Sequence, residues 1–351
     1  MRDKAILVLP TNSSFMHVDA NILSTIYDLK TLYLDQDISK RSYLKEILRA
    51  LLTLATWRGC GRVLIWFADY HTATIVLLAR LLAKKSYVFV GGYDAVCYPE
   101  FGMGVYCSSF RGFCARLALK HCDHIIANHQ ALLSSSNTYY KPSGHPEGIY
   151  RLIPGLKTPA SVVHNAITEN PADTLDRPRR KQILTVGTTP RLQAFYNKGF
   201  DLLTEVAKRR PDLNFIFVGI QDRWMPELRR KFPFDSLSNL TIHPHLDRQE
   251  CLRIMAESAV YAQPSISEGM PNALIEAMLM GCVPVGSRVA GIPTVIGNHG
   301  FLIYQRDSHA LEAALDKSLA IEPDRRAISE DIRTRFSLAA RREKLVRLLS
   351  R

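Results

Sequence analysis

The sequence lacks the features of a disulfide-stabilised or membrane-spanning protein. Its 351 residues include seven cysteines, with no CxxC pair and no zinc spacing, so neither a disulfide framework nor a metal site is indicated. No apolar run approaches the roughly 18 residues that cross a bilayer, and the apolar stretch 72–83 is interrupted by Arg80. The apolar run 5–10 is too short for a secretory signal. We therefore expect a protein of a reducing cytoplasm.

Acidic residues are scarce relative to basic ones. The chain has 33 Asp or Glu against 45 Lys or Arg, a formal net charge of +12. Such a surplus favours an anionic partner, which includes nucleic acid, a phosphate-bearing small molecule and an acidic membrane surface. The hydrophobic content of 47% and charged content of 22% are those of a globular protein. The net charge therefore indicates an anionic partner, but it does not identify which of these partners binds.

The carboxyl-terminal stretch concentrates this basic charge. Residues 325–351 hold nine Lys or Arg against three acids. The pattern predicts one basic amphipathic helix, and packing on the body of the protein is favoured over a membrane anchor. Its predicted apolar stripe consists of Phe336, Leu338, Leu345, Leu348 and Leu349.

Short apolar runs alternate with segments of helical period along both halves of the chain, which predicts parallel sheets covered by helices. In the first half, one predicted helix face comprises Leu44, Ile47, Leu48, Leu51, Leu52 and Ala55, and another comprises Ile75, Val76, Ala79 and Leu82. The predicted strands are 5–9, 63–67, 87–90 and 124–127, and then 183–186, 214–218, 240–242, 259–263 and 283–286. This is an α/β pattern of two doubly wound halves.

A polar, proline-containing stretch at 169–180 separates the two halves and is predicted as the linker. The predicted domains are 1–168, 169–332 and a basic helix at 333–351 that packs back on the first domain. Ligands of open α/β sheets bind at the carboxyl ends of the strands. We therefore expect the functional site in a cleft between the two halves.

The segment 261–286 carries the strongest signal for chemistry. An apolar strand ends at Gln263, a polar turn follows, Gly269 lets the backbone approach a ligand, and Pro271 and Asn272 open a helix. The unpaired N–H groups at a helix start, with the positive end of the helix dipole, form an anion site suited to a diphosphate.

Two carboxylates, Glu268 and Glu276, frame this predicted anion site. Carboxylates make poor phosphate ligands but accept hydrogen bonds from hydroxyl groups, so Glu276 suits a ribose and Glu268 suits a sugar beyond the phosphates. In the alternative interpretation, Glu276 is an acid favoured by the helix dipole and Glu268 is a surface residue. The combination with the glycine and the Pro-Asn start favours the functional interpretation.

These residues, in this order, resemble a known family. Glu268-Gly-Met-Pro-Asn followed by Glu276-Ala-Met, with Gly281 and Pro284-Val285 after it, resembles the E-x7-E signature of the retaining glycosyltransferases of family 4, the group 1 type. Val186-Gly187 and the segment 198–203 resemble the family's preceding elements. The resemblance covers nearly all of residues 162–303. It implies a GT-B fold, in which two Rossmann-like doubly wound domains face each other across a cleft and a C-terminal helix returns to the first domain.

The resemblance also implies an activity, the transfer of a sugar from a nucleoside diphosphate sugar to an acceptor with retention of anomeric configuration. The leaving phosphate oxygen is thought to help deprotonate the acceptor. Carried over, Glu268 contacts the sugar, Glu276 the ribose and Lys198 the diphosphate, while Gly187, Gly269, Met270, Pro271 and Asn272 shape the donor loops. The family's diphosphate Arg is replaced by Thr188, and we assign its role to Arg191.

The charge pattern agrees with that assignment, because residues 177–200 hold six Lys or Arg and no acid. A fixed cation beside the leaving diphosphate stabilises the charge that develops there. The Asp-x-Asp spacing that could hold a metal is Asp35-Gln36-Asp37, which is far from the donor motif. We predict no metal and no cofactor, and the nucleoside diphosphate sugar is the donor substrate.

In the first domain, His71 and Asp94 each follow a predicted strand and are candidates for the cleft. His71 is a candidate catalytic contact to the sugar or the acceptor, although a histidine with a structural role at a helix start is the alternative. Asp94 is a candidate substrate contact at a position where related enzymes commonly have His.

Two other functions fit parts of the sequence. A sugar-nucleotide epimerase or hydrolase on the same fold would turn over the donor without an acceptor. A basic nucleic-acid-binding protein is motivated by the charge but lacks a recognised motif, so we predict no nucleic-acid partner. The acceptor stays open among a lipid-linked glycan, a lipid and a soluble compound. An anionic membrane surface is a further possible partner, with a peripheral location at the inner face of the membrane.

Overall fold

The computed structural model describes residues 2–11, 13–35, 39–169, 175–176 and 178–350. The chain divides into two compact units. Unit 1 comprises residues 1–135, 146–168 and 336–351, and unit 2 comprises residues 136–145 and 169–335. The return to unit 1 begins at 336 rather than 333, and the excursion at 136–145 was not predicted. Half of the predicted linker, residues 170–174 and 177, lies outside the described residues, as does the Gln36-Asp37 part of the Asp-x-Asp spacing.

Unit 1 contains a six-stranded parallel sheet in the order β2-β1-β3-β4-β5-β8. The four predicted strands are present as β1, β3, β4 and β5. The sheet-edge strands β2 and β8 were not predicted, because β2 alternates with polar residues and β8 has three residues. The bounds are β1 (Lys4–Leu9), β2 (Asp28–Tyr33), β3 (Cys60–Trp66), β4 (Lys85–Val90), β5 (His124–Ala127), β6 (Ser135–Asn137), β7 (His145–Glu147) and β8 (Ala160–Val162).

Helices cover both faces of this sheet, as expected for parallel strands whose side chains are buried on both sides. One face packs against α2, α3 and α4, and the opposite face packs against α1 and α14. The bounds are α1 (Ser14–Ile26), α2 (Lys40–Thr56), α3 (Tyr70–Leu81), α4 (Ser109–His121), α5 (Ile149–Leu152) and α14 (Leu338–Leu349).

The buried side of α2 differs from the predicted one. The structure buries Tyr43, Ile47, Ala50 and Leu54 against the sheet, whereas Leu44, Leu48 and Leu52 are exposed. Apolar residues occupy two adjacent sides of this helix, so helical period alone could not decide which side faces the core. The predicted stripe was therefore wrong for three of its leucines.

Unit 2 repeats the same architecture with a six-stranded parallel sheet in the order β11-β10-β9-β12-β13-β14. Its strands are β9 (Arg180–Val186), β10 (Asn214–Val218), β11 (Leu240–His243), β12 (Ser258–Gln263), β13 (Val283–Ser287) and β14 (Phe301–Ile303). Its helices are α6 (Gln193–Asn197), α7 (Phe200–Arg209), α8 (Met225–Lys231), α9 (Arg248–Glu257), α10 (Asn272–Leu279), α11 (Ile292–Ile296), α12 (Ser308–Ala320) and α13 (Arg325–Arg335). Two Rossmann-like units confirm the predicted fold class.

Residues 136–145 come from the first half of the sequence but pack within unit 2. They connect β6 to β7, which pair as a two-stranded sheet. The Asn137 side-chain amide donates to the carbonyl of Ile266 at 2.7 Å, and the Tyr139 hydroxyl donates to the carbonyl of Pro264 at 3.2 Å. This segment therefore braces the loop that follows β12.

The carboxyl-terminal stretch forms two helices instead of the single predicted one. α13 ends at Arg335, and α14 begins after Ser337, whose hydroxyl accepts the N–H of Ala340 at 3.2 Å as an N-cap. In unit 1, Arg341 of α14 forms a buried ion pair with Asp19 at 2.5 Å. Among the residues that the structure describes, no helix combines the length and the apolar character needed to cross a bilayer.

Candidate functional site

The loop after β12 is organised around the carboxylate of Glu268. The side-chain amide of Gln263 and the hydroxyl of Ser265 each donate to its Oε1 atom at 2.9 Å. Lys198 donates to the same oxygen at 2.6 Å and forms an ion pair with it. Because three donors converge on one oxygen, Glu268 is held in a fixed orientation at the carboxyl end of a central strand.

Lys198 reaches Glu268 because two glycines leave room for its path. It ends α6, and Gly199 follows with a φ of +74°, a left-handed conformation that glycine adopts without strain. A Cβ atom at Gly187 would lie 3.0 Å from the Lys198 side chain. The lysine side chain therefore lies over the loop after β9.

The start of α10 follows Glu268 closely in the sequence. Pro271 precedes the helix without a side-chain cap, and Asn272 and Ala273 are half-buried. Gly269, Met270 and Pro271 are buried. The carbonyl of Gly269 accepts the N–H of Gly291 at 3.0 Å, and the N-cap residue Pro271 makes no side-chain hydrogen bond to the helix start. The first N–H groups therefore keep the anion-binding character of a helix N-terminus.

Glu276 lies in the second turn of α10 and has a partner that the sequence did not reveal. Arg248 donates to its Oε1 atom at 2.8 Å and also forms an ion pair with Glu169. Burial raises the pKa of Glu276, and the charge of Arg248 opposes that shift. Arg248 is the first residue of α9, which follows β11. A basic residue where a strand connects to a helix, at the carboxyl ends of the strands, was the sequence signal that could have identified it.

Arg191 is exposed on the connection between β9 and α6. Arg179, Arg180 and Lys181 of the basic segment lie before β9 or in its first residues, at the amino ends of the strands. Arg179 donates to the carbonyls of Met255 and Met280, and Arg180 lies 3.8 Å from an acid of α9. The predicted concentration of positive charge at the donor loops was therefore wrong, because the intervening strand separates its members.

His71 lies in the interior of unit 1. Its side chain is fully buried, and its ring packs near Tyr43 and Tyr70. Within the described part of the chain, neither ring nitrogen has a hydrogen-bond partner. Burial lowers the pKa of His71 to about 4, which leaves the ring neutral. This position does not support the predicted direct contact with substrate in the present conformation.

Asp94 ties two strand-end loops of unit 1 together. Its carboxylate accepts N–H groups from Ala68 after β3, at 3.0 Å, and from Gly91 and Gly92 after β4, at 3.0 and 3.1 Å. Burial raises the pKa of Asp94 to about 6, and these hydrogen bonds oppose the shift. The Asp94 carboxylate therefore holds the two loops together, and this position does not support the predicted contact with substrate.

Comparison with protein families assigns unit 2. Residues 180–320 match the family described as Glycosyl transferases group 1. Over these residues, unit 2 is similar to the group 1 glycosyltransferases. The matched range contains Lys198, Glu268 and Glu276, and it confirms the family that the motifs indicated.

Curated relatives match part of the chain. One of the subunits of the human phosphatidylinositol N-acetylglucosaminyltransferase is 27% identical over 212 residues, which are 58% of this chain and 40% of the relative. The glycogen synthase of Elusimicrobium minutum is 26% identical over 150 residues, 40% of this chain and 31% of the relative. The chain thus spans less than half of the length of these curated relatives.

Solved structures extend the similarity of fold over the whole chain. Sucrose-phosphate synthase from Thermosynechococcus elongatus aligns with a TM-score of 0.72 at 13% identity, covering 99% of this chain and 98% of that one. Anabaena HepE in complex with UDP and glucose aligns with a TM-score of 0.68 at 15% identity, covering 99% and 100%. These likenesses confirm the GT-B fold.

Proposed function

We propose that the chain transfers a sugar from a nucleoside diphosphate sugar to an acceptor, with retention of anomeric configuration. The supporting observation is the arrangement at the carboxyl end of β12. There, Glu268 is fixed by three donors, one of them Lys198, and the start of α10 follows within the same loop. A carboxylate for sugar hydroxyls beside donors for phosphate is the chemistry that such a substrate requires.

In this proposal, each group has a distinct role. The first N–H groups of α10, Lys198 and Arg191 bind the diphosphate, Glu268 orients the sugar, and Glu276 binds the ribose. The glycosidic bond to the phosphate breaks as the acceptor oxygen bonds to the anomeric carbon. The acceptor proton passes to the leaving phosphate oxygen, so no protein nucleophile is required. Stabilisation of the leaving phosphate is then the main contribution of the protein.

The comparisons favour particular donor and acceptor classes. The aligned HepE structure contains UDP and glucose, which supports a UDP-sugar donor. The human relative is a subunit of a phosphatidylinositol N-acetylglucosaminyltransferase, which supports a lipid-linked acceptor. A peripheral location at the inner, cytoplasmic surface of a membrane is part of the proposal. The proposal includes no metal and no further cofactor, so a chelator is expected to leave turnover unchanged.

A panel of nucleotide sugars tests the proposal. The donor is expected to raise the melting temperature of the full chain, because a ligand that binds the native state stabilises it. The shift should be lost in Glu276→Ala and kept in Glu322→Gln, which removes an exposed acid after α12. Release of the nucleotide without acceptor, as fast as with acceptor, would instead identify a hydrolase or an epimerase. Absence of any shift across the panel would contradict the proposal.

A further inference from the structure

Three neighbouring helices of unit 1 present large apolar side chains to solvent. α3 packs against both α2 and α4, and the inner sides of all three contribute to the core on one face of the sheet. We call their solvent side the outer helix face. Its exposed apolar residues are Leu44, Leu48 and Leu52 of α2, Leu77 and Leu81 of α3, and Phe110 and Phe113 of α4.

The exposure of these residues is extensive. Leu44, Leu48 and Leu52 are 56%, 56% and 63% exposed and follow one another at intervals of four residues, so they form a stripe along α2. Phe110 and Phe113 of α4 are 67% and 62% exposed. Single exposed apolar residues are common, but a group of this size across adjacent helices indicates an interaction surface.

The charge of the same helices selects the partner. α2 carries four Lys or Arg, α3 one and α4 three, against a single acid, Glu46. Arg41, Lys45 and Arg49 are exposed beside the leucine stripe. In the described chain, no ion pair joins any of these three to a carboxylate. Apolar side chains interleaved with unpaired cations are typical of a surface that lies on anionic lipid.

We propose that the outer helix face docks on an anionic lipid surface. The leucines and phenylalanines enter the headgroup region, and the neighbouring cations contact lipid phosphates. This inference deepens the proposed lipid-linked acceptor, but it rests on the exposure and charge of α2, α3 and α4 alone. The other basic helix, α14, is a poorer candidate because Leu345 and Leu349 are buried in the core of unit 1.

Vesicle co-sedimentation of the full chain tests this docking. The probes are phosphatidylcholine vesicles with and without about 30% phosphatidylserine, an anionic lipid. The apolar variant is Leu44→Gln with Leu48→Gln and Leu52→Gln, and its control is Tyr304→Gln with Ile321→Gln, two exposed apolar residues of unit 2. We expect the apolar variant to lower partitioning into anionic vesicles about tenfold and the control to leave it unchanged.

A second pair of variants tests the charge. Arg41→Gln with Lys45→Gln and Arg49→Gln removes three cations from α2, and Arg342→Gln with Lys344→Gln and Arg347→Gln removes three from α14. The first is expected to weaken partitioning by roughly a hundredfold, since three cations at about 1 kcal/mol each amount to about 3 kcal/mol. The second is expected to have little effect. Circular dichroism melts establish that all variants are folded.

Three results would overturn the inference. The first is that wild type does not sediment with anionic vesicles, and the second is that the α14 variant alone loses binding. The third is that the leucine variant converts a dimer to a monomer in analytical ultracentrifugation, which would assign the face to a second copy of the chain. A nucleotide-sugar thermal shift measured on the same variants separates these outcomes from failure of the proposed sugar transfer, because the shift does not depend on vesicles.

Discussion

The ion pair between Lys198 and Glu268 leads to opposite predictions for its two members. Lys198→Met removes a cation that the proposal places at the diphosphate, so affinity for UDP should fall. Glu268→Gln removes the negative charge 2.6 Å from that cation and keeps a carbonyl oxygen for Gln263 and Ser265. Because Glu268 is assigned to the transferred sugar, which UDP lacks, UDP affinity should rise in this variant while sugar transfer falls.

The size of both effects follows from the exposure of the pair. The side chains of Lys198 and Glu268 are 24% and 11% exposed, so the effective dielectric lies between those of protein and water. A unit charge about 5 Å from a phosphate contributes about 3 kcal/mol at a dielectric of about 20, and less than about 1 kcal/mol at 80. An intermediate value of about 1.4 kcal/mol corresponds to a tenfold change in UDP affinity in each direction.

Titration calorimetry with UDP measures both changes, and Glu322→Gln controls for the loss of one negative charge from the chain. Lys198→Met should in addition lower turnover by more than it lowers affinity, because the charge on the leaving phosphate is largest in the transition state. If Glu268→Gln weakened UDP binding as much as Lys198→Met, Glu268 would be a ligand of the nucleotide or a support of the loop. The separation of sugar and phosphate roles would then be wrong.

Three further predictions concern the ribose site and the stability of unit 1. Glu276→Ala should weaken UDP binding in calorimetry, and an unchanged affinity would contradict its role at the ribose. Arg341→Met should lower the free energy of unfolding by about 3–5 kcal/mol in urea titrations, because it leaves a buried carboxylate without its partner, whereas the exposed Arg342→Met should have little effect. The pKa of Asp94 is about 6 in the folded protein against 3.8 ordinarily, so wild type should lose stability relative to Asp94→Asn as the pH rises from 4 to 6. The opposite slope would show that the Asp94 carboxylate is stabilised as an anion.

The sequence predicted the central strands of both sheets because these strands are apolar on both faces. Strands β2, β8 and β14 escaped prediction because edge strands are short or partly polar. The leucines of α2 were wrongly predicted for another reason. The spacing of apolar residues identifies the apolar sides of a helix, but it does not show which side packs on the sheet. The excursion at 136–145 depends on contacts between residues more than 120 positions apart, which no local pattern contains.

The donor loop could be predicted in more detail than the rest of the site because its residues are contiguous. A strand, a glycine and a helix start within 15 residues fix where Glu268 and Glu276 lie relative to the sheet. Arg248 escaped prediction because its role arises from packing between α9 and α10. His71 and Asp94 follow β3 and β4 as expected, but both side chains are buried. The position of a residue in the sequence does not show whether its side chain is buried.

The net charge of the chain does not accumulate at the candidate site. Glu268 and Glu276 are each paired with one cation there. Two of the arginines instead lie at the amino ends of the unit 2 strands. There, Arg179 and Arg325 donate to backbone carbonyls at the ends of α9 and α10. Under the proposed function, Lys198 therefore shares its charge between the Glu268 carboxylate and the bound diphosphate. In such a site the carboxylates set how strongly the cations bind phosphate, and affinity then depends on the geometry of the pairs more than on the overall charge of the protein.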